Sequence, residues 1–196
     1  MPKVTQEHRD ARRLQIAVAA LRCFARSGIR GTTMADIIAE SGLSAGAIYG
    51  HFASKEDIVR AAASEILENR IAEVSELAAL SPLPAPGAVL GAILSGVRRD
   101  VGDPRILVQV WAEAMTDPVL HATASDTMLA FRALLAEYLI GWFVEHGVPD
   151  ADARPRASRY APLMISLIQG FIVQSAIIPD FDGDGYLEAI EGFVVA

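Results

Sequence analysis

Residues 31–58 read GTTMADIIAESGLSAGAIYGHFASKEDI, and the order of small, polar and apolar residues in this stretch decides the fold. Thr33-Met-Ala-Asp36 is a helix-start signal, because a threonine hydroxyl can accept a free backbone N–H while the aspartate reaches back to the cap. Ser44 and Ser54-Lys-Glu-Asp57 are two more such signals. Between the first two, Glu40-Ser-Gly42-Leu-Ser44 is too short for anything but a tight turn, and Gly42 can take the left-handed conformation that turn needs. The stretch therefore reads as two short helices, a helix-turn-helix, followed by a long helix running towards Leu80. Ile37, Ile38, Leu43, Ile48 and Phe52 form the inward apolar set, which leaves Ala45, Gly46, Tyr49 and Gly50 on an outer face free to enter a major groove.

Upstream, Leu14, Val18, Leu21 and Phe24 recur at helical spacing and end at Ser27-Gly28, giving a first helix against which the pair can pack. Downstream, three prolines between Pro82 and Pro86 make the clearest break in the chain. Helices are then expected over 86–101, 104–116, 118–146, 154–178 and 184–195, the last capped by Asp184. The fold class is all-α, with a helix-turn-helix domain over 1–54, a connecting helix over 55–80 and a helical ligand-binding and dimerisation domain over 81–196.

Charge follows the same division. The 196 residues carry a net charge of −7, which alone argues against a nucleic-acid partner. Residues 1–60, however, hold nine basic groups against six acidic ones, net +3, and the remainder carries −10. Seven basic groups, among them Lys3, Arg22, Arg26 and Arg30, stand against two acidic ones in the first 35 residues. A locally basic module on an acidic body is the footprint that phosphate binding requires.

The run from Gly31 to Ile58, with the upstream Arg13-x-x-Ile16, Ala19-Ala20, Phe24 and Gly28, resembles the DNA-binding domain of TetR-family transcriptional regulators over about residues 10–60. The resemblance implies that Thr33, Tyr49, His51 and Lys55 meet DNA phosphates and that Ala45, Gly46 and Tyr49 face bases. Gly50 would be a point of close approach, and Ser44 joins the interface at the start of the second short helix. Ala45, Gly46 and Gly50 offer no side-chain hydrogen bond, so specificity is expected to lean on thymine methyl groups, DNA shape and the basic start of the chain. The expected partners are double-stranded DNA, a second copy of the chain and a small-molecule effector.

Leu107, Trp111 and Met115 share one helical face, and Met128, Phe131 and Met164 are further soft or aromatic residues of the kind that line adaptable pockets, although the same pattern serves an ordinary core. The segment around Trp111 and Asp117-Pro118 is faintly similar to choline-responsive repressors, which by itself implies no choline ligand. Leu139, Trp142 and Phe143 on one helix, with Ser166, Gly170 and Gln174 on the next, are the expected dimer surface, Gly170 permitting close crossing.

Asp180-Phe-Asp182-Gly-Asp184-Gly185 followed by Glu191 fits the calcium-loop pattern, but too little helix follows it, and no metal site is expected. A calcium-responsive regulator, or a helical adaptor without operator binding, remains the alternative. No catalytic triad, nucleotide-binding or dinucleotide-binding signature is present, so neither enzymatic activity nor a cofactor is expected. Cys23 is the one cysteine, and the polar start lacks an apolar signal segment, so a cytoplasmic location is expected. The apolar stretch 161–179 is interrupted by Ser166, Gln169, Gly170 and Gln174 and is read as a packed helix rather than a membrane span.

Overall fold

The computed structural model describes residues 6–192, and among them every regular element is an α-helix. In chain order these are α1 (Gln6–Gly31), α2 (Met34–Ser41), α3 (Ala45–Tyr49), α4 (Lys55–Ala78), α5 (Pro86–Val101), α6 (Arg105–Ala114), α7 (Pro118–Glu145), α8 (Asp150–Ile177) and α9 (Gly183–Glu191).

The three start signals act as their chemistry requires. Thr33 Oγ1 accepts from Asp36 N–H while Asp36 Oδ2 accepts from Thr33 N–H, and Ser54 and Asp57 repeat the reciprocal box at the start of α4. Ser44 Oγ accepts from Ala47 N–H. Gly42 closes α2 at φ 68°, the left-handed geometry expected of it. Ile16, Ala20, Phe24, Ile37, Ile48, Phe52 and Ile58 are then buried where α1, α2, α3 and α4 meet. Each large side chain in that set contributes about 1.5–3 kcal/mol by leaving water, enough to hold a five-residue helix that would not persist alone.

Beyond the head, α4 carries the chain to a body in which α7 and α8 pack along one another. Leu135, Leu139 and Phe143 of α7 and Ala161, Met164 and Phe171 of α8 are buried. The close approach of α5 to α9 depends on Gly87, because a Cβ there would overlap the carbonyl of Ile190. The proline-rich connection is tied down by Tyr138 O–H donating to Pro84 O and by Leu83 N–H donating to Glu145 Oε2.

The differences from expectation have local causes. α1 continues to Gly31 in place of ending at Gly28, but Gly28 itself lies at φ 72° and ψ 165°, so the helix is broken at the expected residue and resumes for a turn. α3 stops at Tyr49, before Phe52. α8 begins at Asp150, four residues early: Pro149 precedes it, Asp150 and Asp152 favour its positive end, and Pro155 is accommodated inside the helix instead of opening it. Asp182 rather than Asp184 caps α9, through Gly185 N–H. The expected extension of that helix to 195, and Lys3 in the basic start, lie outside the described residues.

Each of α7 and α8 contains a window long and apolar enough to cross a membrane, by length and composition. A third of each window is buried within the chain, and Leu129, Val144, Leu163 and Ile177 remain exposed.

Candidate nucleic-acid interface and the cavity behind it

α3 is held from beneath by fully buried Ile48, and this fixes which residues face outward. Ser44, Ala45, Gly46, Tyr49 and Gly50 are all exposed, Tyr49 by 54%. A Cβ added at Gly46 would meet nothing within 4 Å, whereas one at Gly50 would come within 3.2 Å of the Gly46 carbonyl oxygen. The face is thus small and sterically open at its centre, with a phenol at its edge.

The polar residues around it are more committed than the sequence indicates. The Thr33 hydroxyl donates to Asp36 Oδ2 at 2.7 Å, and this contact, with the Thr33 N–H, holds the Asp36 carboxyl below its ordinary range. Lys55 Nζ donates to Ile29 O at 2.9 Å and Thr32 O at 3.1 Å, so two of its three N–H groups close the end of α1. His51 is half-buried, and its carbonyl accepts from Arg13 Nη1 while the Arg13 guanidinium sits 4.4 Å above the Phe52 ring. Arg22 and Arg26 converge on Glu40, and Arg30 pairs with Glu113. Hydrogen bonding to Arg26 lowers the Glu40 pKa. Part of the basic charge counted in the sequence is therefore spent on holding α1 to α2 and to the body.

Behind the head, a cavity of about 150 Å³ lies between α4, α5, α6, α7 and α8. Leu107, Trp111, Met128 and Phe131 line it, with Ile93 and Ile168 completing much of an apolar wall. Two expected residues are elsewhere. Met115 is 82% exposed, because α6 ends at Ala114 and the i+4 stripe ends with it. Met164 is fully buried, but the α8 face on the cavity is Ile165, Ile168 and Ile172.

The same α6 reaches the head from its other side. Gln109 Oε1 accepts from Ile29 N–H at 2.8 Å, the group that the break at Gly28 leaves without a helical partner, and Glu113 pairs with Arg30 one turn on. Sequence reasoning missed Gln109, because its partner is 80 positions away; a polar residue between Leu107 and Trp111 was the only available signal.

The expected dimer set is divided by burial. Leu139 and Phe143 are inside the chain's own core at 0% and 1% exposure and present no surface to a second copy. Trp142 is half-buried and stacks on His146, with ring centroids 4.1 Å apart. Ser166 is exposed and Gln174 half-buried. Gly170 does allow a close approach, but to Tyr186 of α9, whose O–H donates to Leu167 O.

In the acidic loop, α9 begins at Gly183, inside the segment that a calcium loop would wrap around an ion. Asp182 is a helix cap and Asp184 pairs with Arg98. Among the described residues, no three His, Cys, Asp or Glu side chains gather as a metal site.

Residues 16–62 match the family of bacterial regulatory proteins, tetR family. Over 59 residues the chain is 48% identical to the uncharacterized HTH-type transcriptional regulator YfiR of Bacillus subtilis, a match covering 30% of this chain and 29% of that one. Over 175 residues it is 27% identical to the HTH-type transcriptional regulator BetI of Burkholderia thailandensis, covering 85% and 84%. Among solved structures, a putative regulator from Saccharomonospora viridis in complex with choline aligns at TM-score 0.71 and 22% identity over 94% of this chain and 95% of that one. A TetR transcription regulator from Haloarcula marismortui aligns at TM-score 0.70 and 18% identity over 93% of each.

Proposed function

This chain belongs to the TetR family of bacterial transcriptional regulators, and from that premise we propose that it is a cytoplasmic homodimeric repressor, released from a palindromic operator by a small, largely apolar effector. The head over 1–54 carries the operator contacts: Thr33, Tyr49, His51 and Lys55 towards phosphates, Ser44 at the start of the second short helix, and Ala45, Gly46, Tyr49 and Gly50 in the major groove. With Thr33, Ser44 and Lys55 also serving as caps and clasps, operator contact at these points is shared with structural work. The helix over 55–80 connects the head to an effector and dimer unit over 81–196.

The observation that carries the release reading is the double use of α6. One face gives Leu107 and Trp111 to the cavity wall, and the other gives Gln109 and Glu113 to the base of α1. A ligand that prefers a displaced α6 must also favour a different seating of the head, and the shift can be no larger than its differential affinity for the two states. The second copy is proposed to cover the outward faces of α7 and α8, where Trp142, Ser166, Leu163 and Ile177 are at least partly accessible. Exposed apolar residues on two long helices are what a bundle between copies would bury.

The test is selection of bound fragments from the source genome, followed by mobility shifts across a salt series. Saturation at two chains per palindromic site, with affinity falling steeply with salt, is expected. Binding no tighter to any selected fragment than to random DNA would leave a helical adaptor as the better reading.

A further inference from the structure

The cavity behind the head has a neighbour. A wider pocket of about 400 Å³ lies between the end of α5, the end of α8 and the turn into α9, and Asp180 and Asp184 at its rim are exposed, so it opens to solvent. The two spaces follow one another along the seam between α5 and α8, where residues four apart share a face. On α5, Ile93 lines the cavity and Val101 the pocket, with Val97 midway between them. On α8, Ile168 and Ile172 line the cavity, and Ser175 and Ile178 the pocket. Among the described residues Val97 alone lines both spaces, and it is 6% exposed.

Val97 sits where its helix is least able to give way. Arg70 of α4, 4% exposed, fills the space beside Gly96, pairs with Glu73 and donates to Asp100 and to Ile93 O. The turns of α5 on either side of Val97 are thereby pinned to α4. A β-branched side chain on a pinned helix keeps one χ1 rotamer and does not swing aside as a methionine would. The threonine hydroxyls on the cavity wall are committed as well, Thr123 donating to Val119 O and Thr127 to Thr123 O within α7. What remains for a ligand is an apolar space of about 150 Å³, on the order of what one aromatic ring fills.

Resting on the reading of this cavity as the effector site, we propose that Val97 is the residue that sets effector size, by closing the cavity against the neighbouring pocket. The effector is then a compact apolar molecule of one ring or an equally small branched frame. Longer molecules are excluded, because they would have to run on past Val97 along the seam between α5 and α8.

The experiment titrates toluene and biphenyl into the full chain by calorimetry. The parent is expected to bind toluene at least tenfold more tightly than biphenyl, whose second ring would meet Val97. Val97→Ala should raise biphenyl affinity at least tenfold and change toluene affinity less than threefold, because the second ring then passes into the pocket. Val89→Ala trims an equally buried site of α5 that lines neither space, and it should leave both affinities unchanged, which separates a gate from a general loosening of the helix. If Val97→Ala does not fold, Val97→Cys is a milder trimming read in the same way. Biphenyl bound by the parent as tightly as toluene or more so, no gain for biphenyl in the trimmed variant, or an equal gain in Val89→Ala would each overturn the inference and leave the cavity reading standing. Binding of neither ligand to the parent would overturn both.

Discussion

The backbone N–H of Ile29 donates to Gln109 Oε1 at 2.8 Å, joining the point where Gly28 breaks α1 to the middle of α6. Few contacts could tie the head to the body so directly, since the bond satisfies a main-chain donor that the break exposes. Gln109→Leu keeps the volume but removes the acceptor, leaving that donor partly buried and unpaired. Stability should fall by about 1–2 kcal/mol in urea unfolding. Operator affinity should become less responsive to effector, read as a smaller ratio of dissociation constants with and without ligand.

Tyr49 and Lys55 should separate binding from folding. Tyr49 is 54% exposed, so Tyr49→Phe should leave the melting temperature unchanged while weakening operator binding by roughly three- to tenfold, the worth of one hydroxyl hydrogen bond. Lys55→Met should weaken both, because it removes the donor that closes Ile29 O and Thr32 O as well as a charge near the DNA. Thermal melts beside mobility shifts check the pair. A Lys55→Met protein as stable as the parent would mean that the clasp contributes nothing.

Ser54→Ala removes one half of the capping box that opens α4. About 1 kcal/mol of stability should be lost, the ordinary cost of a missing cap. Asp57→Asn should cost less, since the amide oxygen can still accept from Ser54 N–H. Denaturant titration of both variants reads the difference in midpoint.

Gly96→Ala tests the buried charge cluster. A single methyl group there cannot coexist with Arg70 Nη1 where it stands, so the guanidinium must leave Glu73 or Asp100. A loss of about 2–4 kcal/mol is expected, in the range for breaking a buried ion pair. Gly91→Ala on the same helix, where the new Cβ finds only Glu191 Cγ at 3.8 Å, should be nearly neutral.

The sequence was most informative where structure is local. Thr33, Ser44 and Ser54 cap within three residues of themselves, so their signals needed no knowledge of the rest of the chain, and the outward face of α3 followed from the burial of Ile48 and Phe52. It was least informative where residues act across the fold. Leu139 and Phe143 make an apolar stripe that reads equally as core or interface, and only the packing of α7 on α8 assigns them to the core. Met115 fails because a stripe says nothing of where its helix ends. The roles of Gln109, Arg70 and Gly96 are set by partners 80, 30 and 26 positions away and have no periodicity to betray them.

Gly46→Glu tests the central claim most directly. The position is exposed, with open space where a side chain would go, so a glutamate there disturbs no packing and replaces a poor helix former by a better one. It also places a carboxylate in the middle of the face proposed to enter the major groove, against phosphate and base edges. Binding of the selected operator by the parent and by Gly46→Glu should differ by a hundredfold or more at equal melting temperature and equal oligomeric state. Equal operator affinity in the two proteins would contradict the account, because DNA would then be bound by some other surface.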